Sequence, residues 1–160
     1  MRKLFMIGCA ALLFGSAAMA QGKVASSWQC PKAPMQHKLD VADEAAHKYA
    51  ITSGPCTPGK SSIEGIMEKS GAYTEFHDEK AQSMSWHGRI TVTMENDDKV
   101  FYGYEGSGST DPAKPVTNNW TISGGTGKFK GIKGTGSCSG KRSTDESSAW
   151  DCTGTYSMAK

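Results

Sequence analysis

The chain of 160 residues lacks several features that would each point to a class of protein. After residue 14 it has no long apolar run, so we expect no membrane anchor beyond that point. It has no C-x-x-C pair, and its histidines are scattered, so no metal and no cofactor are predicted. It has no large basic surplus, and therefore no nucleic-acid partner is predicted.

The first 20 residues have the pattern of a secretory signal peptide. Arg2 and Lys3 precede an apolar run from residue 4 to residue 14, and residues 18 to 20 (A-M-A) resemble a cleavage site. We expect cleavage after Ala20, no lipid anchor, and a protein that is exported to the periplasm or secreted. Removal of Arg2 and Lys3 leaves equal numbers of basic and acidic residues, so the mature chain should be close to neutral.

Four cysteines lie beyond this segment, and an even number in an exported chain indicates disulfide bonds. Cys138 and Cys152 are equally distant from Asp145, at the centre of a polar turn between two predicted strands. This placement brings them opposite each other in a hairpin, at a distance that a disulfide can bridge. We therefore predict a Cys138–Cys152 disulfide and, by elimination, a Cys30–Cys56 disulfide.

The apolar pattern predicts short strands. Residues 84 to 94 alternate, with Trp86 on the apolar side and His87 and Arg89 on the other, as in a half-buried strand. Further strands are predicted at residues 62–68, 72–76, 100–105, 116–123, 131–139 and 149–157. Roughly eight short strands without a long amphipathic helix predict an all-β fold. The 19 glycines favour an eight-stranded antiparallel closed barrel, because closure requires strands to bend.

The segment from residue 21 to residue 58 has a different pattern from the rest of the chain. It contains Pro31, Pro34, Pro55 and Pro58, which predict an irregular N-terminal arm with one short strand near residues 49 to 52. Residues 59 to 160 are expected to form the main part of a single β-barrel domain.

The glycine-rich segment from Gly124 to Gly134 resembles the G-G-T-G-x-[FY]-x-G-[AI]-x-G signature of the allene oxide cyclase and dirigent-like β-barrels. Residues 120 to 122 resemble the strand that enters this signature, and residues 94 to 106 resemble the preceding hairpin. The similarity covers residues 61 to 157 and is greatest to small exported bacterial members. It implies an eight-stranded, calycin-like barrel with a ligand-sized interior, and a homo-oligomer is possible because plant relatives are trimers.

Five aromatic residues are predicted to line a ligand cavity, because their rings offer apolar surface together with hydroxyl or indole donors. The alternative is that they form an ordinary barrel core. They are Trp86, Tyr102, Tyr104, Trp120 and Tyr156.

Glu64, Glu68 and Glu105 are the candidate catalytic residues. A glutamate on the inner face of the barrel would have a raised pKa, which suits proton transfer. We favour the alternative in which Ile63 and Met67 face the core while Glu64 and Glu68 face solvent. Two histidines, His47 and His77, are expected at the surface.

These observations predict a small exported β-barrel protein that is not an enzyme and that binds a small apolar ligand or a partner. The alternative is a cyclase or isomerase that uses a buried glutamate in the barrel cavity. The sequence leaves open whether the protein is an enzyme, since it shows no clustered nucleophile or acid-base set.

Overall fold

The computed structural model describes residues 21 to 159, so the predicted signal peptide lies outside the described residues. Ten strands and one short 3-10 helix make up the described part. The strands are β1 Gln21–Cys30, β2 Met35–Asp40, β3 Lys48–Pro58, β4 Ser62–Ile63, β5 Ile66–Glu79, β6 Ser83–Met94, β7 Lys99–Ser109, β8 Val116–Gly125, β9 Lys133–Arg142 and β10 Ser148–Ser157, and the 3-10 helix is Gly127–Phe129. Within residues 21 to 159, no helix has the length and apolar character needed to cross a membrane.

Eight of the strands form a closed antiparallel barrel, which confirms the predicted fold class. Their order around the barrel is β1, β10, β9, β8, β7, β6, β5 and β3. The ring closes where β3 pairs with β5 on one side and, through two residue pairs, with β1 on the other. Two additional strands lie outside the ring. β2 pairs with residues 48 to 53 of β3, on the edge that faces away from β5, and β4 pairs with the start of β5.

Residues 21 to 58 contain three strands, more than the single short strand expected in this segment. Two of the prolines lie in the connection between β1 and β2, and the other two lie within β3. Pro55 is tolerated there because pairing with β2 ends at Ser53 and pairing with β1 begins at Thr57. A proline, which cannot donate a backbone hydrogen bond, is accepted where a strand lacks one neighbour.

The predicted strand from residue 62 to residue 68 is a tight hairpin. The chain reverses at Glu64 and Gly65, whose φ angles are 52° and 75°. The reversal places Ile63 and Glu68 inside the barrel, whereas Met67 is 41% exposed. The expectation that Met67 faces the core and Glu68 faces solvent was therefore wrong, because it assumed one continuous strand.

The two ends of the barrel differ. At one end, which we call the base, five apolar side chains fill the interior and are each 0% exposed: Ile63, Met94, Val100, Phe129 and Ile132. At the other end, the mouth, the strands are joined by the connections at residues 31–34, 80–82, 110–115 and 143–147.

The glycine-rich segment connects β8 to β9 at the base. Gly127 and Gly131 have φ angles of 49° and 80°, a backbone conformation that favours glycine. Between them, the 3-10 helix directs Phe129 into the base. The segment therefore closes one end of the barrel.

Both predicted disulfides are present. Cys138 and Cys152 lie directly opposite each other on β9 and β10, with Cα atoms 4.0 Å apart. Cys30 and Cys56 join β1 to β3. Because only two residue pairs link these two strands, this second disulfide strengthens the weakest junction of the ring.

Candidate functional site

Between the base and the mouth the barrel contains a cavity of about 420 Å³. All four tryptophans of the chain line it, together with three tyrosines: Trp28, Trp86, Trp120, Trp150, Tyr73, Tyr102 and Tyr104. Four of the five predicted ligand-binding residues are in this set. The fifth, Tyr156, lies nearer the base, where its hydroxyl donates a hydrogen bond to the Glu64 carboxylate at 2.7 Å.

Glycines on neighbouring strands leave room for these rings along the barrel wall. Trp86 is paired with Gly106, Trp120 with Gly136, and Trp150 with Gly140. At each of these glycines, an added Cβ would lie within 2.5 Å of a ring carbon. The rings therefore lie over the glycines, and the centre of the barrel is left open.

Polar side chains from β5 lie on one wall of the cavity. The Glu75 carboxylate accepts a hydrogen bond from the Tyr104 hydroxyl at 2.9 Å, and its other oxygen is 2.8 Å from His77 Nε2. The same ring nitrogen is 3.3 Å from Thr52 Oγ1. Gly88 lies between Glu75 and Tyr104 in the sheet, and an added Cβ there would be 2.7 Å from the Tyr104 hydroxyl.

The surroundings of Tyr104 assign a role to its hydroxyl group. Burial, together with the negative charge of Glu75, raises the pKa of Tyr104, so its phenol stays protonated and donates. If His77 Nε2 carries hydrogen and donates to Glu75, then Nδ1 is the ring's acceptor. His77 Nδ1 is buried and has no hydrogen-bond partner among the described residues. The wall thus combines a carboxylate, an imidazole and a phenol, which is a set suited to moving a proton.

Glu68 is a second carboxylate at the cavity, and it is only 5% exposed. Burial raises its pKa, although a hydrogen bond from the Ser61 hydroxyl acts in the opposite direction. Burial and the charge of Glu68 also raise the pKa of Tyr102. Of the three predicted catalytic candidates, only Glu68 lines the cavity.

The other two candidates lie elsewhere. Glu64 is exposed in the hairpin turn, and Glu105 is exposed on the outer face of β7. The expectation that His47 and His77 lie at the surface was wrong. His47 is 4% exposed, with Nδ1 2.6 Å from Asp43 and Nε2 3.0 Å from Asp78.

The predicted site residues did not include Glu75 and His77, although residues 73, 75 and 77 share the parity that the favoured interpretation gave to the core-facing Ile63 and Met67. The register shifts between Glu68 and Ser70, so Tyr73, Glu75 and His77 follow Glu68 on the inner face. Here the apolar Phe76 lies on the outer face while Glu75 and His77 line the cavity, which is the reverse of the usual pattern. The polarity of the sequence therefore gave no signal for these two residues.

Asp43, Glu44 and His47 lie close enough together to hold a metal ion. Their charges are already compensated, because Asp43 accepts from His47 and Glu44 pairs with Lys80. The hydrogen bond to Asp43, and a further one to Asp78, raise the pKa of His47. We interpret the cluster as an ion-pair network that attaches the β2–β3 connection to β5.

Five buried side-chain nitrogen or oxygen atoms of the described residues have no hydrogen-bond partner, and all five belong to residues that line the cavity. They are His77 Nδ1, Tyr102 Oη, Asn118 Oδ1, Trp120 Nε1 and Arg142 Nε. Buried polar groups are normally paired. Their concentration here distinguishes the cavity from the rest of the barrel.

Comparison with known proteins identifies a similar fold. No family model matches the chain, and no curated protein matches it. Among solved structures, the chain is similar to the pterocarpan synthase dirigent protein GePTS1, with a TM-score of 0.55 over 99% of this chain and 100% of that one. The sequence identity is 12%, so the similarity shows a dirigent-like barrel fold and no more.

Proposed function

We propose that this protein binds a small, flat and largely apolar molecule inside its barrel. The observation that carries the proposal is the cavity of about 420 Å³ lined by every tryptophan of the chain. Sites for small molecules are typically about 300–1,000 Å³ and lined mainly by apolar and aromatic side chains. The cavity fits this description, and its volume suits a molecule of two or three fused rings.

The unpaired polar atoms support a ligand that also carries polar substituents. Leaving a buried donor or acceptor unpaired costs about 1–3 kcal/mol. Tyr102 and Trp120 can each donate a hydrogen bond, and Asn118 Oδ1 can accept one. A ligand with a hydroxyl or carbonyl group could form hydrogen bonds with these atoms and offset part of this cost. A pure hydrocarbon could not.

We also propose that the protein acts outside the cytoplasm. Its two disulfides fit an oxidising compartment, and the pattern of the first 20 residues supports export. A fusion of the full chain to alkaline phosphatase, which is active only after export, tests this. Loss of phosphatase activity when residues 4 to 14 are deleted is the expected result, and full activity after that deletion would contradict export.

Calorimetric titration with 1-naphthylmethanol, a neutral two-ring alcohol, tests ligand binding. We expect saturable one-to-one binding. The variant Ala50→Phe places a ring into the cavity and should weaken binding at least tenfold, because Ala50 lines it. Ile51→Phe is the matched control, since Ile51 is the next residue on β3 and is exposed on the outer face.

Two results would contradict binding in the cavity. One is the absence of heat and of any thermal stabilisation by the alcohol. The other is equal affinity in Ala50→Phe and the wild type while both remain folded.

A second candidate function is proton transfer. The observation that favours it is the position of the Glu75 carboxylate. This carboxylate lies in the cavity, hydrogen-bonded to Tyr104 and next to His77. An enzyme of the isomerase or cyclase type would use the Glu75–His77 pair to accept a proton from a bound molecule. This assigns the catalytic role to Glu75 rather than to the predicted Glu64, Glu68 or Glu105.

The probe 5-nitrobenzisoxazole tests this activity. A base removes the hydrogen on C3, the N–O bond breaks, and a coloured nitrile phenolate is released. We expect the wild type to accelerate the reaction and Glu75→Gln and His77→Asn to lose at least 90% of that acceleration. Glu105→Gln, on the outer face, is the control. Equal rates in the wild type and Glu75→Gln would exclude this function.

A further inference from the structure

The charged groups of the cavity are distributed unequally between its two sides. Glu75, His77 and Glu79 all lie on β5 and line the cavity. In the ring of eight strands, β9 is four positions from β5 in either direction. The wall that carries the acidic groups is therefore directly opposite β9.

Arg142 is the last residue of β9 and lines the cavity near the mouth. One terminal nitrogen, Nη2, donates to the backbone carbonyl of Ser109, while Nε is buried and has no partner. Among the described residues, no carboxylate lies within ion-pairing distance of this guanidinium. Arg142 is thus a permanently charged group at the cavity without a counter-ion.

The other charged groups at this side of the mouth form ion pairs with one another. The Glu146 carboxylate is 2.7 Å from Lys32 and 3.8 Å from Lys38. Gln36 also donates to it. Glu146 is therefore engaged by two cations, one of which, the exposed Lys38, also lines the cavity. Arg142 is the cavity cation that has no carboxylate partner among the described residues.

A partly buried charge without a counter-ion is unfavourable, and arginine pairs with a carboxylate through two parallel hydrogen bonds. We propose that Arg142 binds the carboxylate of an aromatic carboxylic acid. The ring of the ligand lies among the tryptophans, and its carboxylate is directed to the β9 side, away from Glu75 and Glu79. This inference rests on the proposed ligand-binding function and specifies the class of ligand.

A matched pair of probes tests it. 1-Naphthoate and 1-naphthylmethanol share the two-ring body and differ in whether they carry a carboxylate or a hydroxymethyl group. At pH 7.5 we expect the wild type to bind naphthoate about 10- to 100-fold more tightly than the alcohol, the range for hydrogen bonds to charged groups. Arg142→Gln should remove this preference and leave the affinity for the alcohol within twofold.

Two further variants separate charge from structure. Lys130→Gln removes an exposed positive charge next to the 3-10 helix at the base and should retain the full preference. Arg142→Lys keeps the charge but not the paired donors, and should retain only part of the preference. A purely structural role of Arg142 in holding Ser109 would weaken the binding of both probes equally.

The wild type alone is sufficient to overturn the proposal, so the test does not depend on the folding of a variant. Equal or tighter binding of the alcohol would show that the cavity has no carboxylate site. The same result would leave the proposed ligand-binding function intact, because the alcohol still binds. If neither probe binds, both proposals fail.

Discussion

The base and the hollow half of the barrel are built from the same strands but filled in different ways. At the base, aliphatic side chains and Phe129 point to the barrel axis and meet, and five of them are 0% exposed. Towards the mouth, Trp86, Trp120 and Trp150 are each paired with a glycine on a neighbouring strand. Their rings lie over these glycines, and the axis stays open.

The difference links the cavity to residue pairing between neighbouring strands. Small residues opposite large ones let rings pack along the wall. Glycines thus shape the hollow half, whereas at the base they form the turn that brings in Phe129.

A matched pair of truncations should show the largest difference between the two halves. Ile132→Ala, at the base, should lower the free energy of unfolding by about 3–4 kcal/mol, because it leaves a new cavity in a filled core. Ile90→Ala should cost about 1–2 kcal/mol, because Ile90 already lines the cavity and has fewer neighbours to lose. Urea unfolding measures both, and equal losses would contradict the division into a filled and a hollow half.

Adding a methyl group to a glycine that lies under an aromatic ring should cause the next largest loss of stability. In Gly136→Ala the new Cβ would lie 2.1 Å from the Thr153 carbonyl oxygen and 2.2 Å from the Trp120 ring. We expect a loss of about 2–3 kcal/mol, the usual range for overpacking. Gly124→Ala is the control, because nothing lies within 4 Å of its Cβ, and its stability should change by less than about 0.5 kcal/mol. Similar melting temperatures for the two variants would argue against rings held over glycines.

The smallest change in stability is expected when the buried carboxyl group of Glu68 is replaced. Its pKa is raised above 4.5 in the folded protein by burial, so the folded state binds its proton more tightly than the unfolded state. The stability that Glu68 contributes is therefore present below pH 4.5 and is lost as the pH rises through the folded pKa. Glu68→Gln should gain stability relative to the wild type between pH 4.5 and pH 8, as measured by urea unfolding. A stability difference between Glu68→Gln and the wild type that stays constant from pH 4.5 to pH 8 would refute the buried carboxyl.

The sequence is sufficient to predict the elements whose pattern is local. The alternation in residues 84 to 94 places Trp86 inside and His87 outside, as the structure has them. The equal spacing of Cys138 and Cys152 about Asp145 predicts their pairing, because a hairpin brings its two strands together symmetrically.

The site depends on features that are not local. The bulge before Ser70 changes the inward parity of β5 after Glu68. Glu75 and His77 are polar and the outward Phe76 is apolar, so the polarity pattern did not indicate that these two residues line the cavity. The pairing of Trp120 with Gly136 depends on the register between β8 and β9, which the sequence does not show. Arg142 was missed because the predicted strand ended at residue 139, and β9 continues to the mouth.

The most direct test of the central claim is a crystal structure of the protein soaked with 1-bromonaphthalene, with the bromine located by its anomalous scattering. We predict one bromine peak inside the barrel, between the rings of Trp86, Trp120 and Trp150, where the cavity is lined by these side chains. The outer face of the barrel also presents apolar side chains, among them Ile51 and Phe76. A bromine peak found only on that outer face, or no peak at all in a fully soaked crystal, would contradict a ligand site inside the barrel.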